Sequence, residues 1–166
     1  MRKIRVLFLC TGNSARSIIG CTLLRQMGGD AFDVFSAGTH PKGINPYTSR
    51  VLAPLGIDLS GERSKDVAEY TGQVFDYVIT VCDSAAEECP VFPGAPERIH
   101  WSFVDPAAAQ GTDEQRLRAF QITVREMKAR LLVFVAVARR AAGLPADAGE
   151  RPATTGLTFQ PLERRG

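Results

Sequence analysis

The chain has 166 residues, 20 Lys+Arg against 18 Asp+Glu, and 45% hydrophobic content, the make-up of one ordinary globular domain with a sizeable core. A net charge of +2 is too small to argue for nucleic acid or a membrane surface as partner. The longest apolar run, residues 131–138, falls far short of a membrane span. The N-terminus enters an apolar segment directly after Met1-Arg2-Lys3, with no small-residue cleavage site, so the expected location is cytoplasmic.

Residues 4–9 read as a short buried strand that ends near Gly12. A helix is expected over 17–28, where Ile18, Ile19, Leu23 and Met27 recur near helical spacing and Gly28-Gly29 stops it. A second strand is expected over 32–35, then a loop over 39–45. Pro46 suits the first turn of a helix reaching about Ala53. Residues 65–70 read as a short helix, 76–81 as a third strand and 98–101 as a fourth. Thr112 and the acids after it open a long helix to about Ala142. Domain 1–142 is followed by residues 143–166, rich in Pro, Gly, Thr and charge without periodicity, which read as a flexible tail.

Strands alternating with helices imply an α/β fold: a four-stranded parallel sheet with helices on both faces. Ligands of such sheets bind outside the carboxyl ends of the strands. Cys10, Cys82 and Asp105 each follow a predicted strand and are expected on one rim.

The first strand runs into Cys10-Thr11-Gly12-Asn13-Ser14-Ala15-Arg16-Ser17. A strand, a glycine-containing loop and a helix start are the parts of an oxyanion cradle. The helix N-terminus and Arg16 favour the nucleophilic thiolate of Cys10. The Arg16 fork suits two oxygens of a tetrahedral anion. Asp105-Pro106 follows Trp101 and Phe103, an apolar setting that favours a protonated carboxyl able to serve a leaving oxygen, although Asp-Pro also occurs in plain turns.

Cys82 and Cys89 stand seven apart, about 10 Å along a helix. A disulfide needs Cα atoms within about 7 Å, so a helical segment must unwind to join them. The alternative is two unrelated thiols. C-x6-C lacks ordinary zinc-ligand spacing and only His40 and His100 are at hand, so no metal is expected. Cys21 reads as a packed small hydrophobe in the first helix.

These motifs, with Ser36-Ala37-Gly38, Asn45-Pro46, Val81-Cys82, Cys89-Pro90 and His100-Trp101, resemble the thioredoxin-coupled arsenate reductases over residues 3–135. That family shares the low-molecular-weight protein tyrosine phosphatase fold. The anion loop and Asp-Pro are common to both branches, whereas Cys82 and Cys89 mark the reductases. The resemblance implies that arsenate is bound by residues 11–17, with phosphate or sulfate as competing oxyanions. It implies that Cys10 attacks the arsenic and Asp105 protonates the departing oxygen. Cys82 then attacks Cys10, Cys89 attacks Cys82, and thioredoxin reduces the product; glutaredoxin stays open as the reductant. No cofactor is implied, and nothing demands more than a monomer. A phosphatase using Cys10, Arg16 and Asp105 is the alternative, although Ala107-Ala108-Ala109 stands where that branch carries tyrosines.

Many relatives bind potassium at positions matching Asn13, Cys21, Ser36 and Lys65, two of them usually acids. With Cys21 and Lys65 there, no potassium is expected. The Lys65 ammonium is expected to replace the ion and donate to oxygens around Asn13 and Ser36, unless it is simply a solvated surface lysine.

Overall fold

The computed structural model describes residues 2–146. Its elements in chain order are β1 (Ile4–Cys10), α1 (Arg16–Gly28), β2 (Phe32–Gly38), α2 (Pro46–Leu52), β3 (Tyr77–Thr80), α3 (Asp83–Glu87), β4 (Glu97–His100) and α4 (Asp113–Ala141). The four strands form one parallel sheet in the order β2-β1-β3-β4. The carboxyl ends of the two central strands, β1 and β3, therefore lie side by side, with Leu9 opposite Thr80. Cys10 ends the first of these strands and Cys82 follows the second.

One face of β1 carries Phe8, whose ring tilts against Trp101; Trp101 in turn meets Phe134 of α4 edge-on. Gly20 of α1 lies so close that a Cβ there would fall 2.7 Å from the Phe8 ring, so α1 can seat on this face only through glycine. The opposite face is covered differently. Phe35, Tyr70, Phe75 and Phe92 form an edge-to-face cluster, and the Arg5 guanidinium sits 5.0 Å from the centres of both Phe35 and Phe75. Each fully buried aromatic or aliphatic side chain in these layers contributes about 1.5–3 kcal/mol of transfer free energy.

Caps place the helices. Asn45 Oδ1 accepts from the Tyr47 amide at 2.9 Å with Pro46 in the first turn of α2, and Thr112 and Gln115 form a capping box at α4. Two expectations change. The second strand runs on to Gly38, because the whole of 32–38 pairs with β1. The helix expected over 65–70 shrinks to a 3-10 turn, Val67–Glu69, because Asp66 is held in a parallel bridge with Gly38 and caps that turn itself. Residues 143–146, the start of the expected tail, are described. Gly143 takes φ +70° and ends α4 in a Schellman turn, with the Leu144 amide on Arg139 O at 2.9 Å, and Leu144 packs against the core. Residues 147–166 of that tail lie outside the described residues. No described helix is long and apolar enough to cross a membrane.

Candidate active site

The loop between β1 and α1 is fixed from outside. Its carbonyls point away from the helix start and are taken up one by one. The Thr39 amide donates to Cys10 O (3.1 Å), His40 to Thr11 O (2.8 Å), Lys42 to Gly12 O (3.0 Å) and Asn45 to Ser14 O (3.0 Å). Ser64 Oγ donates to Gly12 O and Asn13 O, and Thr48 Oγ1 to Ser14 O. Peptide units whose carbonyls are held outward turn their N–H groups inward. Among the described residues, no hydrogen bond uses the amide of Gly12, Ser14 or Ala15. The N-cap of α1 is Ala15, which has no capping oxygen, so the first-turn amides keep their donors for an anion. Gly38 makes this loop possible: a Cβ there would stand 2.5 Å from Thr11 O.

Asn13 is the hub of the loop. Fully buried and held at φ 42°, it donates its amide to Cys10 Sγ (3.2 Å) and Nδ2 to Ser17 Oγ (2.8 Å). Its Oδ1 accepts the Lys65 amide (2.8 Å). Ser17 Oγ lies 2.8 Å from Cys10 Sγ; with Asn13 donating to its oxygen, its own proton is free for the sulfur. The Asn13 amide and the Ser17 hydroxyl thus converge on the Cys10 sulfur.

Arg16 reaches over the mouth, with Nη1 donating to Phe103 O (3.1 Å) and Nη2 3.9 Å from Asp105 Oδ2. Asp105 Oδ1 accepts from the Ala107 amide and caps the turn Pro106–Ala108. The expected apolar enclosure of this acid is not there. Trp101 and Phe103 are buried edge-to-face against each other, whereas the Asp105 side chain is 43% exposed.

Cys82 is buried at the N-cap of α3, with Thr11 Oγ1 3.3 Å from its sulfur, so the anion loop and the second thiol touch. Between Cys82 and Cys89 the chain is helical, with Ala86 N on Cys82 O (3.2 Å) and Glu88 N on Ser84 O (3.0 Å). Cys89 is half-buried beyond the helix end, its thiol donating to Pro90 O at 3.6 Å. Burial pushes its pKa up, opposed by Arg98. All four cysteines are free.

Lys65 is buried, which rules out the solvated surface lysine, and its pKa is lowered by burial. Its ammonium donates to Arg63 O at 2.7 Å rather than to Asn13 or Ser36; Asn13 Oδ1 takes the Lys65 amide instead, and Ser36 Oγ is buried without a hydrogen-bond partner. Cys21 beside it is a neutral thiol, its pKa pushed to about 12 by burial. Arg25 is ion-paired with Glu62 close by. This donor set of two cations, one carboxylate and a protonated thiol does not fit a potassium ion.

The holders of the outer carbonyls, Ser64 and Thr48 among them, carry no motif of their own and were not legible as site residues. His40 and His100, given no site role by the sequence, bond Glu88 and Asp83.

Residues 5–140 match the low molecular weight phosphotyrosine protein phosphatase family. Arsenate reductases from Halalkalibacterium halodurans and Bacillus subtilis are each 40% identical to the chain. The first matches over 81% of this chain and 96% of its own length, the second over 78% and 93%. The chain belongs to this phosphatase family and, within it, to the arsenate reductases. A solved thioredoxin-dependent arsenate reductase from Corynebacterium glutamicum superposes with a TM-score of 0.55 at 26% identity, covering 80% of this chain and 63% of that one. The enzyme thus has the phosphatase-like parallel sheet expected from its sequence.

Proposed function

We propose that this arsenate reductase converts arsenate to arsenite through three thiols and is recharged by thioredoxin. The observation that carries the reading is the contact of the anion loop with a second thiol at the sheet rim, where Thr11 Oγ1 lies 3.3 Å from the Cys82 sulfur. A phosphatase needs the loop, Arg16 and Asp105, but gives Cys82 and Cys89 no work.

Arsenate lies against the inward amides of residues 11–17, its oxygens bridged by Arg16. Cys10 thiolate attacks arsenic(V), an As–S bond forms, and one oxygen leaves as water after taking a proton from Asp105. Cys82 thiolate then attacks Cys10 sulfur. The As–S bond breaks with its electron pair on arsenic, which departs as arsenite, now arsenic(III), leaving a Cys10–Cys82 disulfide. Cys89 thiolate attacks Cys82 sulfur, Cys10 leaves as thiolate, and a Cys82–Cys89 disulfide remains. Thioredoxin, a dithiol, takes over that disulfide and returns the two electrons.

The resting helix 83–87 supports the last exchange in an indirect way. It keeps Cys89 protonated and half-buried, so unwinding both brings this thiol to Cys82 and frees it from the burial that raises its pKa. Lys65 serves as a built-in positive charge beside the anion loop, held on Arg63 O and joined to the loop through Asn13.

The test is arsenate-dependent NADPH oxidation with thioredoxin and thioredoxin reductase. Sustained turnover is expected in the intact enzyme and at most one cycle in Cys89→Ser. Steady aryl phosphate hydrolysis with no arsenate-dependent oxidation would overturn the reading in favour of a phosphatase.

A further inference from the structure

The helix that must unwind is tied at both ends by a histidine, and the two ties differ. At its start the Asp83 carboxylate meets His100 Nε2 (2.9 Å) and accepts from Ser102 Oγ (3.3 Å). The other nitrogen of His100 lies 2.8 Å from Thr80 Oγ1. His100 ends β4 and Thr80 ends β3, so this end is bonded into the sheet. These bonds hold the Asp83 pKa below its ordinary value, His100 contributing most. At the far end Glu88 Oε2 lies 3.1 Å from His40 Nε2. His40 stands on the loop after β2, and its amide donates to Thr11 O of the anion loop.

Little else holds the segment. It is a five-residue helix with one buried side chain, Ala85. A helix this short has almost no stability of its own. Both pairs are exposed, but the start is joined to the sheet through a carboxylate–histidine–threonine chain with Ser102 beside it, whereas the end has one histidine pair and the half-buried Cys89.

We propose that His40 and Glu88 form a clasp that sets how often the relay helix opens, and that opening runs from the Glu88 end while Asp83 and His100 keep Cys82 in place. This rests on the three-thiol reading. His40 is a positioning residue, touching neither substrate nor sulfur. Its backbone bond to Thr11 joins the clasp to the anion loop, so the loop that holds the first thiol also restrains the third.

The test uses the reduced full-length enzyme with Glu88→Gln, His40→Ala, the double variant and His40→Gln, which keeps a donor for Glu88. Hydrogen exchange of the amides of 86–89 is expected to quicken about two- to five-fold in Glu88→Gln and His40→Ala, the range open to an exposed pair. The double variant should quicken no further, and His40→Gln should restore much of the protection. In single turnover with arsenate, alkylation-quenched mass spectrometry should show the Cys82–Cys89 disulfide forming faster by the same factor, with the appearance of Cys10–Cys82 unchanged. Unaltered exchange at 86–89 would overturn the clasp. So would additive effects in the double variant, or equal quickening across residues 11–17. If the unmodified enzyme never forms Cys82–Cys89, the relay reading fails, while exchange in the reduced protein still judges the clasp.

Discussion

The anion loop and the relay helix sit on the same rim of the sheet and are built on opposite plans. Residues 10–17 are determined from many sides: every carbonyl from Cys10 to Ser14 is held by an outer group, and Asn13 is fully buried with four bonded atoms. Residues 82–89 have a short helix, one buried alanine and two histidine ties. A site that binds a small oxyanion gains from groups that need not reorganise. A segment that must carry a sulfur to its partner gains from low local stability. The same few ångströms of rim thus hold a rigid receptor and a deliberately weak helix.

Changes to the loop should be costly to both stability and binding. Gly38→Ala drives a Cβ into backbone atoms, Thr11 O at 2.5 Å and Asn13 N at 2.9 Å, which cannot swing aside. It is expected to destabilise the enzyme by about 1–3 kcal/mol, measured by denaturant unfolding, and to abolish detectable phosphate binding by calorimetry. Next in size is Asn13→Ala, which strands Ser17 and the Lys65 amide. About 2 kcal/mol of stability should go, with a clear loss in the rate of Cys10 alkylation.

Changes to the relay helix should separate the two regions. Ala86→Gly is expected to cost no more than about 1 kcal/mol and to leave phosphate affinity alone. It should nonetheless speed formation of the Cys82–Cys89 disulfide. A matching loss of phosphate affinity would show that the two regions are not independent. The pH dependence sharpens the same point. Burial raises the pKa of Cys89 and the nucleophile is its thiolate, so in the closed helix the reactive fraction is small at neutral pH and grows as pH rises through and beyond 9. The final exchange, followed by quenched alkylation, should therefore accelerate with pH over that window, and Ala86→Gly should flatten the rise by exposing the thiol. The smallest effect concerns Lys65: exchanging sodium for potassium should leave turnover unchanged, because the charge is already in place.

The sheet, its strand order of appearance and the anion loop were legible because an apolar strand, a glycine loop and a helix start leave local marks in sequence. Cys82 lies against the loop that Cys10 opens, and Asp105 lies 3.9 Å from Arg16 of the same loop, on the rim where Cys10, Cys82 and Asp105 are expected. What was not legible depends on distant partners. The Lys65–Tyr70 segment is pulled from helix to a bridge with Gly38 by sheet geometry. The Lys65 residue meets the loop through its backbone amide, on Asn13 Oδ1, while its ammonium goes to Arg63 O. The openness of Asp105 follows from Trp101 and Phe103 turning inward to Phe134 and each other, which no local pattern reveals. His40 and His100 pair with acids 48 and 17 residues away.

The most direct test of the account is a disulfide map after one equivalent of arsenate. Reduced Cys89→Ser should stop with Cys10 joined to Cys82 and one arsenite released, while the intact enzyme should end with Cys82 joined to Cys89 and Cys10 free. Arsenite released with Cys82 still reduced, or a product unaffected by Cys89→Ser, would contradict the three-thiol relay.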